Sequence, residues 1–399
     1  MSGAPLPLTQ FTGRPGAIDL AWGHPDPSLL PVGELAAATD ETLRRYGSDA
    51  LAYGAEAGPG PVLEEIAARL GVVDRRAPAL DELCLVPGAS PGLDQAATLL
   101  TEPGDVVLVE GPTYHFALGI LAGHPVEIRA VPVDGEGLVV EALAELLAGI
   151  RAAGRRARLL YTIPTFHNPT GVSLAPDRRR ALVDLAAANG LLLVEDDVYR
   201  ELPFDGPAPD SLWSDAPPGT VVRLGSFAKS LAPGLRVGYV TADRTIAARF
   251  AGQGYLASGG ALSHLPALVV ATYMADGRYA ANVERLRVGY RERRDALLDA
   301  FAAALPAGST WTRPAGGYFA WVTLPEGRDA GVARRAVEAA GSGYLPGSVF
   351  CRPTLPGDPP PGPFTAVAGR SFRVSFARWS PTELRESAAR LGRGLAAAS

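Results

Sequence analysis

The chain has 399 residues, 47% hydrophobic and 20% charged, enough apolar material for a large core and unlike a disordered or fibrous polymer. Its 37 basic and 42 acidic residues give a formal charge of −5 with no basic block at either end, so electrostatic capture of nucleic acid or of an anionic membrane is not expected. No apolar run approaches the roughly 18 residues that span a bilayer, and two cysteines, Cys84 and Cys351, give no disulfide framework. Residues 1–10 lack the basic-then-apolar pattern of a secretory signal, so the expected location is the reducing cytoplasm.

Residues 1–30 are rich in Pro and Gly and read as an extended arm, followed by predicted helices at 32–46 and 61–70. A long alternation follows. Short apolar runs predict strands at 83–86, 106–110, 126–132, 159–163, 191–195, 221–224 and 237–240, with helix-length segments such as 92–100 and 176–189 between most of them. Strands alternating with helices call for a mainly parallel, seven-stranded sheet covered on both faces, an α/β fold. From 261 to 304 the sequence turns long, helical and rich in Arg and Glu. A strand at 318–324, a helix at 330–340, a Pro/Gly-rich surface loop at 352–369 and a strand at 372–376 then predict a smaller α+β domain. The expected division is an arm with part of the small domain (1–45), a large domain (46–285) and a small C-terminal domain (286–399).

One count is far from ordinary: of the 37 basic residues only Lys229 is lysine. A GC-rich coding bias lets surface lysines drift to arginine, because a solvated positive charge serves equally well there. A lysine that resists the drift does something a guanidinium cannot: nucleophilic attack, Schiff-base formation or proton transfer. An amine that reacts with a carbonyl points to pyridoxal 5′-phosphate, held as a lysine imine with its ring as an electron sink.

That cofactor makes demands of its own. Its ring nitrogen stays protonated only beside a carboxylate, and Asp196 ends the buried-looking run 191–195. Its phosphate needs backbone N–H groups at a helix start plus a cation; Gly88, Ala89 and Ser90 offer the first, Ser226 and Arg236 the second. Tyr114 can cover the ring face, and Asn168 and Tyr199 can donate to the phenolate oxygen. These residues follow five predicted strands, where the loops of an open α/β sheet converge on a ligand.

Four strings then carry a resemblance: Tyr-Thr-Ile-Pro-Thr-Phe-His-Asn-Pro-Thr-Gly (161–171), Val-Glu-Asp-Asp-Val-Tyr (194–199), Gly-Ser-Phe-Ala-Lys-Ser-Leu-Ala-Pro-Gly-Leu-Arg-Val-Gly-Tyr (225–239) and Phe-Arg-Val-Ser-Phe (372–376). In type and order they resemble the class I and II aminotransferases of the pyridoxal phosphate fold type I, from about Ile18 to about Leu395. The resemblance implies that Lys229 carries the cofactor as an internal aldimine, that Asp196 pairs with the ring nitrogen, and that Asn168 and Tyr199 hold O3′. It implies that Gly88, Ala89, Ser90, Ser226 and Arg236 bind phosphate and that Tyr114 stacks on the ring. Tyr53 matches the tyrosine that in this family reaches the phosphate of the neighbouring subunit, which implies a homodimer with shared sites. Arg373 matches the arginine that grips the substrate α-carboxylate, with Gly23 and Asn168 also on the substrate side.

The implied activity moves an amino group between an L-amino acid and a 2-oxo acid, with pyridoxamine phosphate as the intermediate form. Cα deprotonation is shared by other reactions of this cofactor, so β-elimination, decarboxylation, oxidative deamination or condensation on the same fold stay open at this stage. A family departure stands at Ala89, where a hydroxyl residue is frequent, and His24 and Asn282 are unusual for their surroundings. His24, His115, His167 and His264 could add acid/base chemistry, but an isolated histidine more often hydrogen-bonds structurally. A non-catalytic sensor fused to a winged helix is not expected, because Arg14 is the only basic side chain other than histidine among the first 43 residues. Scattered histidines and two distant cysteines give no metal-ligand spacing.

Overall fold

The computed structural model describes residues 7–10 and 13–398. Near the N-terminus, β1 (Ile18–Asp19) pairs in parallel with β12 (Ser342–Gly343), which fastens the arm to the C-terminal part of the chain. The apolar runs of the middle of the chain form β2 (Leu83–Val86), β3 (Val106–Gly111), β4 (Glu127–Asp134), β5 (Gly137–Leu138), β6 (Ala157–Thr162), β7 (Leu192–Asp196), β8 (Val221–Ser226) and β9 (Gly238–Thr241). They build one sheet in the order β2-β9-β8-β7-β6-β3-β4-β5. The central pairs are parallel; β9 runs antiparallel to both β2 and β8, and β5 folds back on β4. All residues of β2, β3 and β7 are buried, as a sheet covered on both faces requires. The seven predicted strands become eight because β5, two residues long, is too short to leave a periodic signal.

A second, four-stranded antiparallel sheet has the order β10-β11-β14-β13, from β10 (Thr310–Trp311), β11 (Phe319–Thr323), β13 (Leu345–Pro346) and β14 (Ser371–Ser375). It packs with helices Arg278–Ala304, Ala330–Ala339 and Pro381–Ala397 around a core that includes Phe301, Val322, Phe372 and Leu391. The helical stretch predicted from 261 onwards divides in two, His264–Ala275 and Arg278–Ala304. The break falls at Gly277, whose φ of +82° is a left-handed conformation that glycine adopts without a Cβ penalty.

The Pro/Gly-rich segment is less of a free loop than its composition suggests. Arg129 bonds to Asp358 and to the carbonyl of Pro356, and the segment ends in a short helix, Pro363–Ala366, followed by the buried Ala368. Among the described residues, no helix is long and apolar enough to cross a membrane.

Candidate active site

The carboxyl ends of the parallel strands bring the predicted residues together. Asp196 closes β7 and Ser226 closes β8. Lys229 follows in the turn beyond β8, anchored from behind by the helix Arg278–Ala304. There Tyr279 donates its hydroxyl to Ser230 Oγ at 2.8 Å, and Asn282 Nδ2 donates to the Ser230 carbonyl at 2.9 Å. Asn282, odd as a surface residue, is thus a buried tether for the lysine turn. Tyr318 Oη donates to the carbonyl of Lys229 itself at 3.1 Å.

The amine of Lys229 donates to the carbonyl of Gly23 at 3.1 Å, which brings the N-terminal arm directly over it. Gly23 has to be glycine: a Cβ there would stand 2.5 Å from Cζ of Phe319. Burial, and then the charge of Arg373, lower the Lys229 ammonium from 10.5 to about 8, against the opposing pull of Asp196. The amine is therefore partly neutral near physiological pH, the form that attacks carbonyls and accepts protons.

Asp196 accepts a hydrogen bond from Tyr161 Oη at 2.6 Å on one oxygen, while its other oxygen, Oδ1, is buried without a partner. Burial raises its carboxyl from 3.8 to about 6. A buried carboxylate oxygen left open beside a reactive amine is the place for a cationic ring N–H. Tyr161 is a site residue that the sequence reading did not name. Tyr199 is buried, and burial pushes its phenol well above the usual value. Tyr114 is half-buried and shares a side-chain hydrogen bond with Ser90.

At the start of the helix Ala89–Leu100 the chain turns through Gly88 at φ +107°. That φ is one that residues with a side chain rarely adopt, and the missing Cβ leaves room for Arg236 Nη2, which would stand 2.5 Å from it. Arg236 donates to the carbonyl of Pro87 at 2.7 Å and otherwise stays exposed above the helix start. Backbone N–H groups at the helix start, a hydroxyl at Ser226 and this arginine are groups that could hold an anion. Tyr53 is 87% exposed, so its own chain does not bury it.

Arg373, on β14, lies between two phenyl rings, 4.0 Å from the centroid of Phe319 and 4.8 Å from that of Phe350. It donates to Asn168 Oδ1 at 2.8 Å and to the carbonyl of Ala21 at 2.6 Å, and its Nε is buried with no partner. Burial lowers it to about 10. A guanidinium so desolvated, with donors to spare, is prepared for a bidentate carboxylate. Burial and the charge of Arg373 lower His115 to about 4; burial, Lys229 and Arg378 do the same to His24. Both rings therefore stand neutral beside the site.

The open Asp196 oxygen, the helix start at Gly88 with Arg236 and the depressed lysine fit pyridoxal phosphate in its carboxylate, phosphate and aldehyde demands. The comparisons agree. The family model for aminotransferase class I and II matches residues 17–391. The chain is 33% identical over 353 residues, 86% of its length and 82% of the relative, to aromatic-amino-acid aminotransferase 1 of Thermococcus litoralis. It is 34% identical over 398 residues, covering 97% of its length and 92% of the relative, to 2-aminoadipate transaminase of Thermus thermophilus. A solved structure of Pyrococcus horikoshii kynurenine aminotransferase, in complex with PMP, superposes with a TM-score of 0.87 at 30% identity, over 96% of this chain and 91% of that one.

Proposed function

The chain belongs to the class I and II aminotransferase family, and from that premise we propose that its amino-group transfer is worked by Lys229, Asp196, Tyr199, Asn168 and Arg373. It is a pyridoxal phosphate enzyme that moves an amino group between an amino acid and a 2-oxo acid. When bound, the cofactor supplies an aldehyde for the amine and a cationic ring that accepts the electrons of the broken Cα–H bond.

The residues divide the remaining work. Gly88, Ala89, Ser90, Ser226 and Arg236 would hold the phosphate, Tyr114 would cover the ring, and Asp196, braced by Tyr161, would keep the proton on the ring nitrogen. Asn168 and Tyr199 would donate to the cofactor's O3′. Arg373 takes the α-carboxylate and so fixes which Cα bond points at Lys229. The lysine amine, lowered to about 8, would take the Cα proton and return it two atoms away, to the carbon that the cofactor brings as its aldehyde. The Gly23 carbonyl gives the amine a resting partner, and Phe319 and Phe350 keep water from the arginine. A large donor side chain, aromatic ones included, is supported by the neutral ring surface of His115 and Phe350 beside Arg373 and by the substrates in the names of the relatives.

We further propose a homodimer in which Tyr53 completes the partner's phosphate site; the exposed Leu51 (72%), Leu262 and Tyr255 support a face that a second copy covers. The proposed domain division is 1–45, 46–285 and 286–399, and the two unpaired thiols support a cytoplasmic location.

The observation that carries this reading is the placement of the chain's one lysine, its amine depressed to about 8, between an incompletely paired Asp196 and a desolvated Arg373. The test mixes holoenzyme with single L-amino acids and no acceptor. One equivalent of 2-oxo acid per site, with no ammonia, carbon dioxide or β-substituent released, is the expected result. Continuous release of any of those three contradicts it.

A further inference from the structure

Glu110 and His167 are 3% and 2% exposed, and neither belongs to the phosphate-side groups or the carboxylate site just described. A buried carboxylate has to be compensated. Thr162 Oγ1 donates to one oxygen of Glu110 at 2.8 Å, and the N–H of Ile163 donates to the other at 2.8 Å. His167 Nε2 stands 3.1 Å from that second oxygen, though off the hydrogen-bonding direction. Among the described residues His167 is the only basic side chain within ion-pair distance of Glu110.

The other ring nitrogen of His167, Nδ1, lies 2.8 Å from Thr170 Oγ1, and the His167 backbone closes the same turn through Val172 and Gly171, at 2.8 and 2.6 Å. The imidazole therefore lies between Glu110 at the end of β3, which it meets at 3.1 Å without a hydrogen bond, and the far side of the loop that presents Asn168, to which Nδ1 is bonded. That loop does not hold its shape by backbone preference. Phe166 and Gly171 both have left-handed φ, +52° and +75°, and a non-glycine residue in that region persists only where its surroundings fix it. At the tip, Asn168 Oδ1 accepts from Arg373 Nη1 at 2.8 Å.

We infer that Glu110 and His167 are positioning residues for the substrate α-carboxylate: from the end of β3 they fix the 166–171 loop, so that Asn168 sets the plane of the Arg373 guanidinium. The inference rests on the reading of Arg373 above. A bidentate guanidinium–carboxylate pair is sensitive to angle, so loosening Asn168 weakens recognition of the carboxylate more than recognition of the rest of the substrate. Filling the same space with a hydrocarbon ring removes both polar contacts of His167 and keeps its volume.

The experiment uses holoenzyme and the L-amino acid that reacts fastest in a standard panel, paired with its α-carboxamide. The readout is the ratio of kcat/KM for the acid to that for the amide, in the wild type, H167F, E110Q and R373Q. A loss of stability alone lowers both substrates together and leaves the ratio unchanged. H167F is expected to lower the ratio by about tenfold to a hundredfold, chiefly through KM for the acid, and E110Q by a smaller factor in the same direction. Should H167F fail to fold, E110Q, which keeps shape while losing the charge and one of the two acceptor oxygens, decides the question. If R373Q abolishes the preference while folded H167F and E110Q keep the wild-type ratio, the positioning role is wrong and the carboxylate reading stands. If R373Q itself keeps the ratio, both fall.

Discussion

Asp196 and Asp197 are consecutive, buried carboxylates at the end of one strand, and they live in opposite circumstances. Asp197 faces Arg200 and Arg223 (2.7 Å from the latter), and the same two arginines hold Asp74, with Arg200 Nη1 at 3.0 Å. Burial alone would raise Asp74, but Arg223 and Arg200 outweigh it and hold that carboxyl below its ordinary value. Asp196 has the Tyr161 hydroxyl and the Val198 backbone as partners but no arginine, and its carboxyl is raised to about 6; Oδ1 lacks a side-chain donor in both aspartates, so the arginines are the difference. Two faces of one strand end thus separate two uses of charge: one carboxylate is paired with arginines, and the other, with no arginine, is left open toward the chain's single lysine. The open one is where a cationic ligand contributes most, because the cost of the incomplete pairing is already present in the free protein.

The comparison can be broken from either face. The largest effect belongs to the lysine: K229R keeps a positive charge but cannot lose a proton, and the half-reaction with an amino acid is expected to slow by about 10³–10⁴-fold, measured by single-turnover formation of 2-oxo acid. On the paired face, D197A removes one of the two carboxylates that compensate the buried Arg200 and Arg223, and chemical denaturation should report a loss of about 3–5 kcal/mol. On the open face, D196N should do the reverse in the cofactor-free protein, gaining roughly 1–3 kcal/mol at pH 7, while it weakens cofactor binding. Equal destabilisation by D196N and D197A would erase the distinction between the two faces.

The smallest effect is in the pH dependence of the cofactor-free protein, and the signs of the two shifts fix its direction. Between 3.8 and about 6 the folded chain keeps on Asp196 a proton that the unfolded chain has released, so stability falls as pH rises through that window. Between about 8 and 10.5 the unfolded chain keeps on Lys229 a proton that the folded chain has released, so stability rises with pH. The slope in the upper window stays below about 1.4 kcal/mol per pH unit, and denaturant titrations of K229M should lack it.

Much of this site was legible in the sequence because its chemistry lies in short strings. One lysine among arginines, Asp196 and Tyr199 three residues apart, and glycine before a helix start are local patterns that follow from local needs. Tyr161 was not legible. It stands opposite Val194 in the parallel β6–β7 pair, and side chains alternate along a strand, so Tyr161, Val194 and Asp196 share a face. That follows from the register, which neither strand states by itself. The Glu110–His167 contact is of the same kind, since it needs β3 and β6 to be neighbours although β4 and β5 intervene in the chain. Gly23 was read as a pocket-edge glycine, but its reason, the ring of Phe319 nearly 300 residues away in sequence, exists only in three dimensions.

The central claim is that the ε-amine of residue 229 is the group that binds the cofactor covalently. Borohydride reduction of the holoenzyme followed by peptide mapping tests it most directly, because the chain offers a single lysine side chain. One reduced pyridoxyl group is expected, on the peptide that contains Lys229. Label confined to the α-amino terminus, or a fully loaded enzyme with no label at all, would contradict it.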